Sequence, residues 1–260
     1  MKNITFFTFL AILAINTVSA KDQNTKKTGK THKKRPNKTE QLRNYILSCG
    51  AKQKPSHIPD LVKLIQDPAI DINAPDKKGN TILMNAMDLL MFDNKHCGKN
   101  LQDMISVGLD NPNLDINYTN NFGGTLLMST INMVSRTQSP VDKEMRHKIF
   151  NKIFAKNPNL NQKDRDDDDA LSYALYRLYI EMDTNPDLYF VKKLIAAGVQ
   201  VNKIHIDTIM DYINTINNMK IVFGDDPKKN VMFKKVNFLL ALLRSKQKEQ
   251  AKGRKKSRTR

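Results

Sequence analysis

The sequence predicts an all-α fold: an α-solenoid of about five stacked antiparallel helix pairs, flanked by disordered basic tails. Three observations predict it. Asn73, Asn117, Asn161 and Asn202 follow one another at intervals of 44, 44 and 41 residues, each directly behind an aliphatic residue (Ile72, Ile116, Leu160, Val201). Eight positions before each Asn stand Ile65, Leu109, Ile153 and Leu194, and twelve before stand Leu61, Ile105, Ile149 and Phe190. These two sets lie one helical turn apart and so share a helix face. Eight positions after the first three Asn residues come Thr81, Thr125 and Asp169, each opening a new apolar-periodic run.

Residues 1–20 carry the marks of a secretory signal peptide. Lys2 supplies the positive start, Ile4 to Ile15 is an apolar run broken only by Thr5 and Thr8, and Val18-Ser19-Ala20 offers small residues for cleavage. The alternative, a retained membrane anchor, wants about 20 apolar residues, and Asn16 and Thr17 end this run short of that. The mature chain is therefore expected to be exported, periplasmic or secreted, and not transmembrane after cleavage. Residues 21–38 are basic and almost free of apolar side chains, the composition of a disordered segment.

The repeat domain is expected over 39–246. Thr39 to Cys49 reads as a helix carrying Leu42, Ile46 and Leu47, with Pro59 to Gln66 as its partner. In each following unit a Thr or Asp oxygen (Thr81, Thr125, Asp169) can cap the free amides of a helix start. Leu83, Leu127 and Leu171, two residues on, point inward. Gly79, Gly123 and Asp167, two residues before the caps, are types that tolerate a left-handed turn. Breaker-rich stretches at 93–98, 137–140, 183–186 and 224–227 lie between the paired helices and account for the length of the unit. The fourth unit has only five residues between Asn202 and Thr208, so its turn is expected to be truncated. Val231 to Leu243 forms the last helix, flanked by lysines as a terminal layer needs. Residues 247–260 read as a second disordered basic tail.

Asp76–Ala86 (DKKGNTILMNA) and Asn161–Ala174 (NQKDRDDDDALSYA) resemble ankyrin repeats, and Leu194–Asn202 (LIAAGVQVN) resembles the end of a second ankyrin helix with its loop. The resemblance covers roughly Leu61 to Ile213. The family period is about 33 residues with a T-P-L-H-x-A signature. This unit is longer, and Pro and His are missing from every copy. The resemblance implies a partner held on the turn tips and the exposed face of the first helices. The matching positions are Lys77, Lys78, Asn80, Asn121, Phe122, Arg165, Asp166 and Asp168, with Tyr176 on a helix bearing Tyr173 and Tyr179. An aromatic such as Phe122 at a polar tip either meets a partner or packs on the next tip.

Charge and chemistry narrow the function further. The chain of 260 residues has a net charge of +17, but Lys21–Arg43 holds +7 of it and Arg244–Arg260 holds +8. Polyanion binding, whether to nucleic acid or an anionic membrane face, would therefore run weakly and non-specifically through Lys33, Lys34, Arg35, Arg254, Lys255 and Lys256. Cys49 and Cys97 fit no metal spacing and no disulfide scaffold; export permits the one disulfide they could form, but they are expected to be unpaired and partly buried. The run Asp164–Asp169 lacks the glycine and terminal Glu of a calcium loop and reads as a solvated acidic tip. Five single histidines, no nucleophile motif and no phosphate-cradling loop leave no catalytic set. The expected protein is non-catalytic, without cofactor, metal or small-molecule substrate, and works by binding another protein. Its richness in Lys, Asn and Ile beside an export signal suits a host-associated bacterium, which would make the partner a host protein.

Overall fold

The apolar positions marked by the repeating frame go inside, except that Leu160 is only half-buried. Leu61, Ile65, Ile105, Leu109, Ile149, Ile153, Phe190 and Leu194 are buried, as are Leu83, Leu127 and Leu171 on the alternate helices. Truncating any of them to Ala costs roughly 2–5 kcal/mol. The computed structural model describes residues 37–49, 60–90, 97–132, 140–180, 188–223 and 227–258. The expected signal peptide, the basic segment with Lys33, Lys34 and Arg35, and most of the breaker-rich stretches lie outside the described residues.

Among the described residues there are ten helices and no strand beyond one isolated bridge, Thr119 to Thr125. They are α1 (Lys38–Cys49), α2 (Leu61–Ile65), α3 (Ile82–Leu90), α4 (Gly98–Gly108) and α5 (Leu126–Asn132). Then come α6 (Pro140–Phe154), α7 (Ala170–Ile180), α8 (Tyr189–Ala196), α9 (Lys203–Phe223) and α10 (Pro227–Arg258). Each odd-numbered helix packs on the even-numbered helix that follows it. The odd-numbered helices also touch in series, α1 on α3, α3 on α5, α5 on α7 and α7 on α9. The even-numbered ones form a second row, α2 on α4 and α4 on α6. That row continues through aromatic contacts: Phe150 of α6 meets Phe190 of α8 edge-on at 4.9 Å, and His147 stacks on Tyr189 at 3.8 Å.

Capping explains where the odd-numbered helices begin. The Thr81 and Thr125 hydroxyls accept the amides of Met84 and Met128 at 3.4 and 3.2 Å, and the Asp169 carboxylate accepts that of Ser172 at 2.9 Å. Three caps serve the same amide, three residues on, in three successive layers.

Three expectations are corrected. Cys49 and Cys97 are not unpaired: they form a disulfide with Cα atoms 5.7 Å apart, and both are fully buried. The fold carries the end of α1 onto the residue before α4, a proximity that a separation of 48 residues conceals. The stretch 247–258 is not a disordered tail either, because α10 continues to Arg258. Ala, Lys, Gln, Glu and Arg are strong helix formers, and the Gln250 side chain is tied down, donating to the Val199 carbonyl at 2.8 Å and accepting the Val201 amide at 3.0 Å. Finally, the fourth turn is absent rather than truncated. α9 starts at Lys203, directly after Asn202, and Thr208 lies inside it with its hydroxyl bonded to the Ile204 carbonyl.

Candidate functional site

Three turns of identical construction precede α3, α5 and α7. Each opens on an Asx residue: Asp76, Asn120 or Asp164. Its side-chain oxygen accepts two amides, two and four residues on: Lys78 and Asn80, Phe122 and Gly124, Asp166 and Asp168, all between 2.7 and 3.0 Å. The backbone then closes with the amides of Gly79, Gly123 and Asp167 on the carbonyls of Asp76, Asn120 and Asp164. Those three residues are left-handed, with φ of 80°, 79° and 69°. Short polar side chains that mimic a backbone turn are the reason Asx is placed first.

Successive tips are joined. The Asn121 amide donates to the Lys78 carbonyl at 3.0 Å, and the Arg165 amide to the Phe122 carbonyl at 2.8 Å. Asn121 adds a side-chain bond to the Lys77 carbonyl at 3.1 Å, and Asn120 one to the Asn80 side chain at 2.8 Å. The contact is close enough to dictate residue type. A Cβ on Gly79 would stand 2.5 Å from the Asn121 nitrogen, and one on Gly123 would stand 2.8 Å from the Asp164 Cα. Asp167 carries a side chain in the same conformation because no fourth turn packs against it.

A second ladder runs through the marker asparagines. Asn73, Asn117 and Asn161 use their side-chain oxygens to accept the amides of Asp115, Asn159 and Gln200 in the next layer, at 2.7–2.9 Å. Thr39 begins the series by accepting the Asp71 amide at 3.0 Å. At Asn202 the series stops: its side-chain oxygen is buried without a hydrogen-bond partner, and Gln250 takes the adjacent backbone instead.

Most of the expected partner-binding residues fall on this row of tips. Lys77, Lys78, Asn121, Arg165 and Asp166 are exposed, while Asn80 and Asp168 are half-buried. Phe122 is 54% exposed, and the Arg165 guanidinium lies 5.5 Å from its ring centroid. Both readings of that aromatic therefore meet at one residue, since it contacts the next tip and still presents a face to solvent. Tyr176 is exposed on α7, away from the tips, whereas the Tyr173 hydroxyl is turned into the second carboxylate oxygen of Asp164 at 2.8 Å. Arg254, Lys255 and Lys256 fall on the last turns of α10, and their side chains lie outside the described residues.

Beside the tips lies a pocket of about 110 Å³. Phe122 and Asn120 from the second turn, Asp164 from the third, and Met128 and Ser129 from α5 contribute to its wall. Asp88 of α3 and Tyr173 of α7 line it as well. The pocket has a cause in the repeat register. Nine residues after the opening Asx, Asn85 donates to Asp76 at 2.9 Å and Tyr173 to Asp164. The corresponding residue of the middle unit is Ser129, too short to fill the space. Sequence reasoning missed Asp88, Ser129 and Tyr173 as site residues, although the ninefold offset from each turn was there to read.

The electrostatics follow from this crowding. Protein packed around the Asp88 carboxyl raises it to about 6, against a lowering by Lys78 and a further rise from Asp76, even though the residue keeps an open face to solvent. Partial burial raises Asp168 as well, helped by Asp164. Burial and the Asp164 carboxylate both push the Tyr173 phenol up. Asp169 runs the other way. Burial pushes its carboxyl up, but hydrogen bonds from His205 and from two backbone amides outweigh burial and leave it below its ordinary value. His205 accepts the Asn202 amide at Nδ1, so Nε2 carries the proton facing Asp169 at 3.1 Å. This pair is buried and pins α9 to the cap of α7; it faces no cleft.

Among the described residues no group of three or more His, Cys, Asp or Glu side chains could hold a metal ion, and no helix is long and apolar enough to cross a membrane. No protein-family model matches the chain, and a comparison with curated proteins finds no significant relative.

Proposed function

We propose that the chain is an exported, non-catalytic protein of ankyrin-like construction that binds another protein through its row of turn tips. The observation that carries this reading is the backbone bonding between tips, Asn121 to Lys78 and Arg165 to Phe122. It holds alternating cationic, amide, aromatic and acidic side chains at fixed spacing, so little entropy is lost on binding. Phe122 with Arg165 is the natural anchor, because aromatic and Arg residues dominate interface energetics. The ankyrin-like reading is supported by hydrogen bonds that recur at 44-residue intervals in the turns, and by first helices that touch in series. Export is supported by the buried Cys49–Cys97 disulfide, a bond that persists in oxidising compartments. A host protein is the proposed partner class.

Affinity capture with the mature chain tests the reading, comparing wild type with Phe122→Ala and Arg165→Ala at low and high salt. The expected result is one partner retained by wild type at high salt and lost from both variants. Capture that survives both substitutions, or that vanishes with salt in wild type, overturns it.

A second reading, polyanion binding, gains one specific observation. Arg244, Lys248 and Lys252 are exposed on α10 four residues apart, a helical stripe that Lys256 extends in sequence. It predicts affinity for duplex nucleic acid that falls steeply as salt rises.

A further inference from the structure

The pocket at Ser129 is a gap in an otherwise regular structure. In the first and third units the residue nine positions after the opening Asx closes the space by bonding back to it, as Asn85 does to Asp76 and Tyr173 to Asp164. In the middle unit Ser129 leaves the space open, next to the exposed Phe122. The wall is two-sided in character. Met128 and the Phe122 ring offer apolar surface, while Asp88, Asp164, Asn120 and Asn132 offer oxygen acceptors. No lysine or arginine lines it.

The two carboxylates are not equivalent. Asp164 is occupied, its oxygens taken by two turn amides and the Tyr173 hydroxyl. Asp88 lines the pocket and forms no salt bridge among the described residues; packing around it and the Asp76 charge raise its carboxyl to about 6 against the pull of Lys78. A carboxylate that faces an open pocket without a salt bridge gains a charge-assisted hydrogen bond when a cation arrives, with no existing pair to break. A volume of about 110 Å³ suits one side chain rather than a folded ligand. Apolar walls with acceptors at the end match a residue with an aliphatic stem and a charged head.

We propose that the Ser129 pocket receives a single lysine or arginine side chain from the bound partner, its stem against Met128 and Phe122 and its cationic head at Asp88. This inference rests on the protein-binding reading and adds the chemistry of the partner: a basic residue displayed on the segment that crosses the tips. Charge complementarity commits the occupant. A neutral or acidic side chain would leave Asp88 uncompensated or repelled.

The test follows backbone amide resonances of the full chain at Phe122, Gly124 and Ser129 during titration with short alanine-based peptides. Their central residue is lysine, arginine or acetyl-lysine. Saturable shifts with lysine, arginine or both, and none with the neutral acetyl-lysine peptide, are expected; the stronger of the two identifies the preferred head group. Asp88→Asn should weaken binding by about tenfold or more. Ser129→Tyr, which supplies the closing side chain of the third unit, should abolish it, with far-ultraviolet dichroism checking that both variants fold. Equal shifts with acetyl-lysine, no shifts at millimolar peptide, or wild-type binding by Ser129→Tyr would each overturn the proposal. Failure here with tip-dependent partner capture intact removes the pocket alone. Peptide binding here without tip-dependent capture removes the wider reading and leaves the pocket.

Discussion

Removing the Cys49–Cys97 bridge is the perturbation whose size the fold most directly sets. The two residues are 48 apart in sequence, so the bond closes a long loop of the unfolded chain. The chain-entropy relation for a loop of that length gives a stabilisation of about 4 kcal/mol. The consequence is local as well as global, because the bridge joins the end of α1 to the start of α4, the second helix of the next pair. Without it α1 is held by packing on α2 and α3, by the Thr39 hydroxyl on the Asp71 amide, and by Arg43, whose guanidinium donates to the Ala74 carbonyl at 2.6 Å. Replacing both cysteines by alanine avoids burying a hydroxyl in the site. In urea at 25 °C, with a slope of roughly 2 kcal/mol per molar, the midpoint should fall by roughly 2 M. Helix-pair arrays can lose terminal layers first, so hydrogen exchange should speed up at Ile46 and Leu61 before it does at Leu127 or Leu171. Two observations would refute the reasoning: equal midpoints for the oxidised chain and the double variant, or two thiols titrating in the native, unreduced protein.

Further predictions concern the ladders and turns. Asn117→Ala and Asn161→Ala each remove the acceptor for one amide of the next layer and should each cost about 1 kcal/mol in chemical denaturation. Asn202→Ala should cost less than either, since its oxygen has no partner to lose. Gly123→Asp should be far more destabilising than Asp167→Gly, which should be neutral or mildly stabilising in thermal melts. The first adds a Cβ in left-handed backbone 2.8 Å from the Asp164 Cα, whereas the second relieves left-handed strain and gives up only an exposed ion pair with Lys163, worth little. The pH dependence at Asp88 has a definite sign. Its folded carboxyl titrates near 6, above the ordinary value of 3.8, so the folded state binds more protons in between and stability falls as pH rises through that window. Asp88→Asn should flatten that slope and be more stable than wild type at pH 7, by less than about 1 kcal/mol because the side chain is open to solvent on one side.

Much of the architecture was legible in residue order because it depends on local chemistry repeated at one interval. A Thr or Asp oxygen can cap only the amides next to it, and a left-handed backbone favours Gly, Asn or Asp. Thr81, Thr125 and Asp169 could therefore be read as helix starts, and Gly79, Gly123 and Asp167 as turns. The apolar residues eight and twelve positions before each marker asparagine sorted themselves inward for a similar reason, as neighbours on one helix face.

What residue order could not express is contact between layers. The disulfide, the Asp169–His205 pair and the hold of Gln250 on the loop before α9 join residues 36 to 51 apart, and nothing in their local sequence signals the partner. The same holds for the candidate site. The tip residues could be named from their place in the turn, but a pocket is space left unfilled, and Ser129 leaves one only because Asn85 and Tyr173 fill its counterparts. Local sequence determined which segments turn, cap and coil. Packing between layers decided which cysteine meets which, where the array ends and where the surface stays open, because those outcomes depend on distances across the fold rather than along the chain.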